Sequence, residues 1–190
     1  MFLSHRPSSL DLERFIDQSR EIGLSYERVG IAGECPIGFN VDESVTHISS
    51  GQVGFERARK ALANWEHFDL GWIELFPRNA PVELGSVVAV LVRHLGFWSL
   101  NGCRVVYLLG DPIAGGQFGF AYGTLLNHAE MGEEIFEVTI RPETGDVFYR
   151  IRAVSKPRAV LARVGYPITR TLQSRFRRDS TLRMERLTET

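Results

Sequence analysis

The sequence predicts an α+β fold: a curved antiparallel sheet of about six to seven strands packed on one long C-terminal helix, with two short helices near the N-terminus. Three observations carry this reading. Apolar residues recur at helical spacing over residues 8–22 and 55–68. From residue 71 to 154 the pattern becomes extended, with turn signals between short β-branched and aromatic runs. Helical spacing then returns in Leu161, Val164, Ile168, Leu172 and Phe176. The turns between strands are too short for parallel crossovers, so the pairs must be antiparallel. The apolar face of such a sheet needs a cover, and the last amphipathic helix is available to provide it.

The elements follow in order. Leu12, Phe15, Ile16 and Ser19 form a first helical face behind Ser8, Ser9 and Asp11 as capping candidates, and Gly23 supplies a stop. Tyr26–Ile31 reads as a short strand, and residues 32–51 as irregular chain. Behind Ser49 and Ser50, a second helix places Phe55, Ala58, Leu62, Trp65 and Phe68 on one face. Six strands are predicted next, at Trp72–Phe76, Val87–Val92, Arg104–Leu109, Phe118–Leu125, Ile135–Ile140 and Val147–Val154. Turns are expected at Pro77–Pro81, Asn101-Gly102, Asp111-Pro112 with Gly115-Gly116, and Thr144-Gly145, and a longer polar connection at 126–133. Ser155-Lys156-Pro157 opens the final helix, and Gly165 and Pro167 predict a kink or break within it.

Composition sets the outer limits. A chain of 190 residues, 44% hydrophobic and 24% charged, predicts one folded domain over 1–190 rather than a disordered segment. No apolar run is long enough to span a bilayer, and no signal-peptide core follows Met1–Arg6. Only Cys35 and Cys103 are present, too few for a disulfide scaffold, so a cytoplasmic setting is expected. Residues 156–190 hold nine basic side chains against three acidic ones, while the whole chain carries −1. A basic end on an acidic body can attract nucleic acid or anionic lipid, or can pack back on the body itself.

The densest polar cluster lies at Tyr122, Thr124, His128, Glu130, Glu133 and Glu134. His128 with Glu133 or Glu134 supplies the residue types of acid–base catalysis, although loop bonding and solvation explain the same residues. Tyr122 and Thr124 share a strand face by period two, and Arg104 on a neighbouring strand can anchor a carboxylate or phosphate. Trp98, with Trp65, Trp72, Phe97, Phe118, Phe120, Phe136 and Phe148, can line an apolar pocket or fill the core. The histidines at 5, 47, 67, 94 and 128 form no HExxH pair and the cysteines no C-x-x-C, so no metal site is predicted. Gly51-Gln52-Val53-Gly54 and Gly110–Gly123 lack nucleotide-loop spacing, and no cofactor is predicted.

The chain also resembles the family of domain of unknown function 1990, the UPF0548 proteins. The resemblance is carried by Gly54–Ala58 through Ala61–Trp65, by Cys103–Tyr107, by Gly119–Leu125 with His128, Gly132, Glu133 and Glu134, and by Ser155-Lys156-Pro157. It spans about residues 26–187, and Leu126, Asn127 and Ala129 depart from the family's loop pattern. The resemblance implies a START-like, helix-grip architecture, whose members mostly bind hydrophobic ligands; it implies no established activity.

Three functional readings stand at this level. The first is a binding protein that holds a hydrophobic or amphipathic small molecule between sheet and terminal helix, using Arg104, Tyr122, Thr124, His128 and Trp98. The second is a hydrolase or isomerase acting through His128 with Glu133 or Glu134. The third, less favoured, is recognition of nucleic acid or anionic membrane by the helix-face arginines Arg163, Arg170 and Arg177. The sequence leaves the oligomeric state open.

Overall fold

The structure is a computed structural model and describes residues 2–34, 36–110, 115–158 and 166–189. Seven strands form one antiparallel sheet in the order β2 (Asn40–Ser50), β8 (Asp146–Pro157), β7 (Glu130–Ile140), β6 (Gln117–Thr124), β5 (Phe97–Leu109), β4 (Val87–His94), β3 (Ile73–Phe76). A short β1 (Phe2–Leu3) pairs with β5. Bulges at His47/Ser49 and Val105/Tyr107 sharpen the bend of this sheet. Its concave face is covered by α2 (Gly51–Ala63) and by the long α3 (Tyr166–Glu189). This is the curled sheet and terminal helix of a helix-grip fold.

Alternation sorts the side chains between the two faces. Phe120, Tyr122, Phe136, Val138, Val147, Tyr149 and Ile151 point into the concave core, where they meet Phe55, Leu62, Trp65, Phe68, Phe176 and Met184. On the convex side, Val87, Ala89, Leu91 and Leu100 bury Leu12, Phe15 and Ile16 of α1 (Ser9–Glu21). This helix starts as its sequence predicts. The Ser8 hydroxyl accepts from the Asp11 amide, and the Asp11 carboxylate accepts from the Ser8 amide in a capping box.

Several boundaries differ from the sequence reading. Tyr26–Ile31 is not a strand: Gly30 takes φ +100° and Ile31–Gly33 forms a turn of 3-10 helix. Conversely, residues 40–50 are a full strand, β2. It pairs with β8, and its burial alternates: Glu43, Val45 and His47 are exposed while Asp42, Ser44, Thr46 and Ile48 turn inward. Of the inward residues only Ile48 is apolar, so no apolar alternation marks the strand. Asn101-Gly102 is not a turn but lies inside β5; the hairpin turn is Leu95-Gly96. The Asn101 carboxamide reaches Val90 O and Ser99 Oγ, and a Cβ on Gly102 would stand 2.3 Å from Asn127 Oδ1. The polar connection is shorter than expected because β7 already begins at Glu130.

The second helix ends at Ala63. Trp65 turns left-handed at φ +58°, and a 3-10 turn at Glu66–Phe68 returns both rings to the core. Ser155-Lys156-Pro157 completes β8 rather than opening a helix, with Pro157 at the strand end, where no amide is required. Leu161, Arg163, Val164 and Gly165 lie outside the described residues. Pro167 is the second residue of α3, where its missing N–H belongs to the unsatisfied first turn.

The close approach of β6 and β7 gives a stability test. A Cβ on Gly119 would sit 2.5 Å from Phe136 O and 3.0 Å from Glu137 Cα, both backbone atoms that cannot swing away. Gly119→Ala is therefore expected to lower the unfolding free energy by about 2 kcal/mol, read as a lower urea midpoint with unchanged slope.

Candidate functional site

One register row across the sheet builds the polar end of the concave face. Asp42 of β2 pairs with Ala153 of β8, which pairs with Glu134 of β7; Glu134 pairs with Tyr122 of β6, and Tyr122 with Val105 of β5. Directly paired residues share a face, so both carboxylates and the phenol look toward α3. The Tyr122 hydroxyl donates to Glu134 Oε2 at 2.7 Å. Gln173 of α3 donates to Glu130 Oε2 at 2.7 Å, and Arg170 grips Asp42 with both terminal nitrogens. Arg177 lies 3.3 Å from Asp42 Oδ1. The first half of α3 thus closes over Asp42, Glu130 and Glu134.

Burial changes the chemistry of these groups. Desolvation pushes the Glu134 carboxyl up to about 7; Tyr122 and Arg177 oppose the shift, and Glu130 and Asp42 add to it. Glu130 is also raised by burial, against the bond from Gln173. Tyr122 and the buried thiol of Cys103 are held protonated, each mainly by desolvation and further by Glu134. Near neutral pH, Glu134 exchanges a proton and can either donate or accept a hydrogen bond. Beneath it lies an aromatic floor: Phe136 has its ring centroid 5.3 Å from Tyr122, and Phe68 lies 4.9 Å from Phe176.

The predicted residues divide between the two faces. Tyr122 and Glu134 come together directly. His128 is half-buried nearby, and its Nδ1 accepts from the Glu130 amide at 2.9 Å; burial lowers its pKa to about 4, so the ring is neutral. Thr124 Oγ1 bonds Ser25 Oγ at 2.6 Å and accepts from the Gly132 amide at 2.9 Å. Glu133 points to the convex side, opposite its neighbour Glu134, and accepts from the amides of Gly30 and Ala32 at 2.8 and 3.0 Å. Arg104 is also convex and donates to Ser19 O, Arg20 O and Ile22 O at the end of α1. Trp98 packs against the α1 cluster. Of the other rings considered, Trp65, Phe120 and Phe136 fill the core, and Phe97 is exposed.

Sequence reasoning missed Asp42, Gln173 and His67. Asp42 was hidden with its strand. Gln173 lies between Arg170 and Arg177 at helical spacing, a signal that was available. His67 had none: it is fully buried, 4.7 Å from both Phe68 and Phe136 by ring centroids, and among the described residues neither nitrogen has a partner. Burial lowers its pKa to about 3. The α3 arginines meet acids: Arg170 and Arg177 face Asp42, Arg175 and Arg178 face Asp179, and Arg183 faces Asp69. No described helix is long and apolar enough to cross a membrane.

The model for domain of unknown function 1990 matches residues 25–183. The chain belongs to the DUF1990 family. Among the family's UPF0548 members, one from Dictyostelium discoideum is 34% identical over 95% of this chain and 92% of its own length. One from Arabidopsis thaliana is 33% identical over 75% of this chain and 70% of its own length. Among solved structures, the Zhui aromatase/cyclase from a Streptomyces species aligns over 80% of this chain and 94% of its own, with a TM-score of 0.52 at 14% identity. At that identity the likeness bears on the fold alone. The matched residues 25–183 include β6 and β7, the strands that carry Tyr122 and Glu134.

The buried groups predict opposed pH effects. His67 and His128 titrate lower in the fold than the ordinary 6.5. Their contribution is complete above that value and is lost as pH falls toward 4. Glu134 titrates higher than its ordinary value, so its contribution is complete in acid and is lost as pH rises through about 7. Urea denaturation from pH 5 to 8 should therefore show Glu134→Gln gaining stability relative to the parent as pH rises. His67→Phe should gain relative to the parent as pH falls.

Proposed function

We propose that this chain binds an amphipathic small molecule between the concave sheet and the first half of α3. The observation that carries the proposal is the Tyr122–Glu134 pair: a desolvated carboxyl raised to about 7, bonded to a phenol at the edge of an aromatic core. Taking three carboxylates partly out of water beneath a helix costs free energy that their contacts with Arg170, Gln173 and Arg177 must offset. Groups of this kind cluster where a ligand's polar atoms are recognised.

The chemistry limits the ligand. Asp42, Glu130 and Glu134 repel an anionic head, whereas a hydroxyl, carbonyl or amine can bond with Glu134 and Tyr122. The apolar part would lie on Phe68, Phe136 and Phe176. Entry requires the first turns of α3 to lift, because Arg170, Gln173 and Arg177 span the gap. A ligand that bonds with Glu134 and Glu130 offsets the loss of those helix contacts. Acid–base turnover is a second reading of the same carboxyl, since a group titrating near 7 can move a proton; here Glu134 with Tyr122 would carry it.

Native mass spectrometry of the protein purified from cells, paired with titration by a neutral hydroxylated aromatic fluorophore, tests this reading. The expected result is saturable binding weakened about tenfold in Tyr122→Phe and Glu134→Gln, with folding intact by circular dichroism. Ala153→Phe, which fills the middle of the polar row, should abolish it. Equal affinity in all these variants would overturn the site.

A further inference from the structure

The β4–β5 hairpin carries a feature that neither the fold nor the concave site requires. Its two-residue turn is Leu95-Gly96, with φ +48° and +80°. Two successive positive φ values are the conformation that favours Asn-Gly, and leucine is among the residues that adopt it at a cost. That leucine is 75% exposed, and Phe97 beside it is 53% exposed. A strained backbone that displays an apolar side chain to solvent points to a role for that side chain.

The setting of the turn identifies the partner. β5 pairs with β6 only from Cys103 onward; before that residue it pairs with β4 and β1. The tip thus reaches about six residues past the edge of β6, or roughly 20 Å of strand. One register step behind the tip, exposed Arg93 pairs with Trp98, a half-buried ring. The order from the tip inward is Leu95, then Phe97 opposite a half-buried His94, then an indole beside a guanidinium. That order matches the depth profile of a lipid leaflet, where apolar groups enter the acyl region and Trp and Arg occupy the headgroup level. A turn of this size exposes only a few hundred Å², roughly, well below the roughly 800 Å² per partner of a stable protein interface.

We infer that the β4–β5 hairpin docks this protein peripherally on a phospholipid surface, with Leu95 and Phe97 inserted and Arg93 and Trp98 at the headgroups. The inference is independent of the ligand proposed above. Co-sedimentation of the full chain with phosphatidylcholine vesicles, with and without phosphatidylserine, tests it. Binding is expected to both, and more strongly with the anionic lipid.

Leu95→Asn supplies the residue this turn prefers, so its melting temperature should match or exceed the parent's while vesicle affinity falls about tenfold. Phe97→Ser should lower affinity similarly, and Arg93→Glu should remove the preference for phosphatidylserine. Quenching of fluorescence by brominated lipid should occur in the parent and disappear in Trp98→Phe. Failure of the parent to bind either vesicle overturns the inference, as does unchanged binding by both Leu95→Asn and Phe97→Ser. Light scattering that shows a dimer lost in Leu95→Asn, without vesicle binding, would assign the tip to a second copy instead.

Discussion

The seating of α3 on the concave face is the contact on which the rest of the molecule depends, and polar bonds set it as much as apolar area does. The helix buries Phe176 and Met184, but its buried side also includes Ser180 and Thr188. Ser180 shares a 3.0 Å hydrogen bond with Tyr149, and the Thr188 hydroxyl donates to Ile48 O at 2.8 Å. Asp179 accepts from Trp72 Nε1 at 3.0 Å, while Arg175 lies over the same indole. Apolar contact is non-directional; bonds of this kind fix the rotation and axial position of the helix. The C-terminal half is tied by buried bonds and apolar packing. The N-terminal half adds ions and a carboxamide over acids to the packing of Leu172 and Phe176, and a polar ligand can replace those polar contacts.

How much of this was legible in the sequence follows from burial. Strands with one buried face announced themselves: Phe136, Val138 and Ile140 alternate, as do Val147, Tyr149 and Ile151. The capping box at Ser8 and Asp11 was equally readable, because capping is local chemistry. β2 was invisible because its inward face carries Asp42, Ser44 and Thr46, polar residues that hide the alternation of burial, and Asp42 disappeared with it. Asn101-Gly102 misled because a turn dipeptide was placed by packing against Asn127, a tertiary cause without a local signature. The candidate site was half legible for the same reason. Tyr122 and Glu134 lie in an identifiable block, but only the register sends Glu134 inward and Glu133 outward to hold the amides of Gly30 and Ala32.

The imbalance between a basic tail and an acidic body also has a structural meaning. Twenty arginines against two lysines suit a molecule whose cations must each satisfy several acceptors. Arg104 serves three carbonyls at the end of α1. Arg150 bridges Glu43 and Glu137, while Arg152 reaches Glu43 and the carbonyls of Ala32 and Glu34. Arg170 takes Asp42 in a fork and also reaches Gln173. A lysine ammonium is a point charge and cannot span such sets in fixed geometry.

Much of the tail's charge is therefore answered within the molecule, by Asp42, Asp69 and Asp179. This has a consequence for the site. Asp42 lies against Arg170 and Arg177, and its negative charge is among the influences that push Glu134 toward its protonated form. The helix latch and the proton on Glu134 are thus coupled. Lifting the helix removes Arg177, a cation that favours the ionised carboxylate, but it also admits water, which favours the same form. Desolvation is the larger influence on Glu134 in the closed state, so opening the helix should release its proton, and closing over a hydroxylated ligand should take one up.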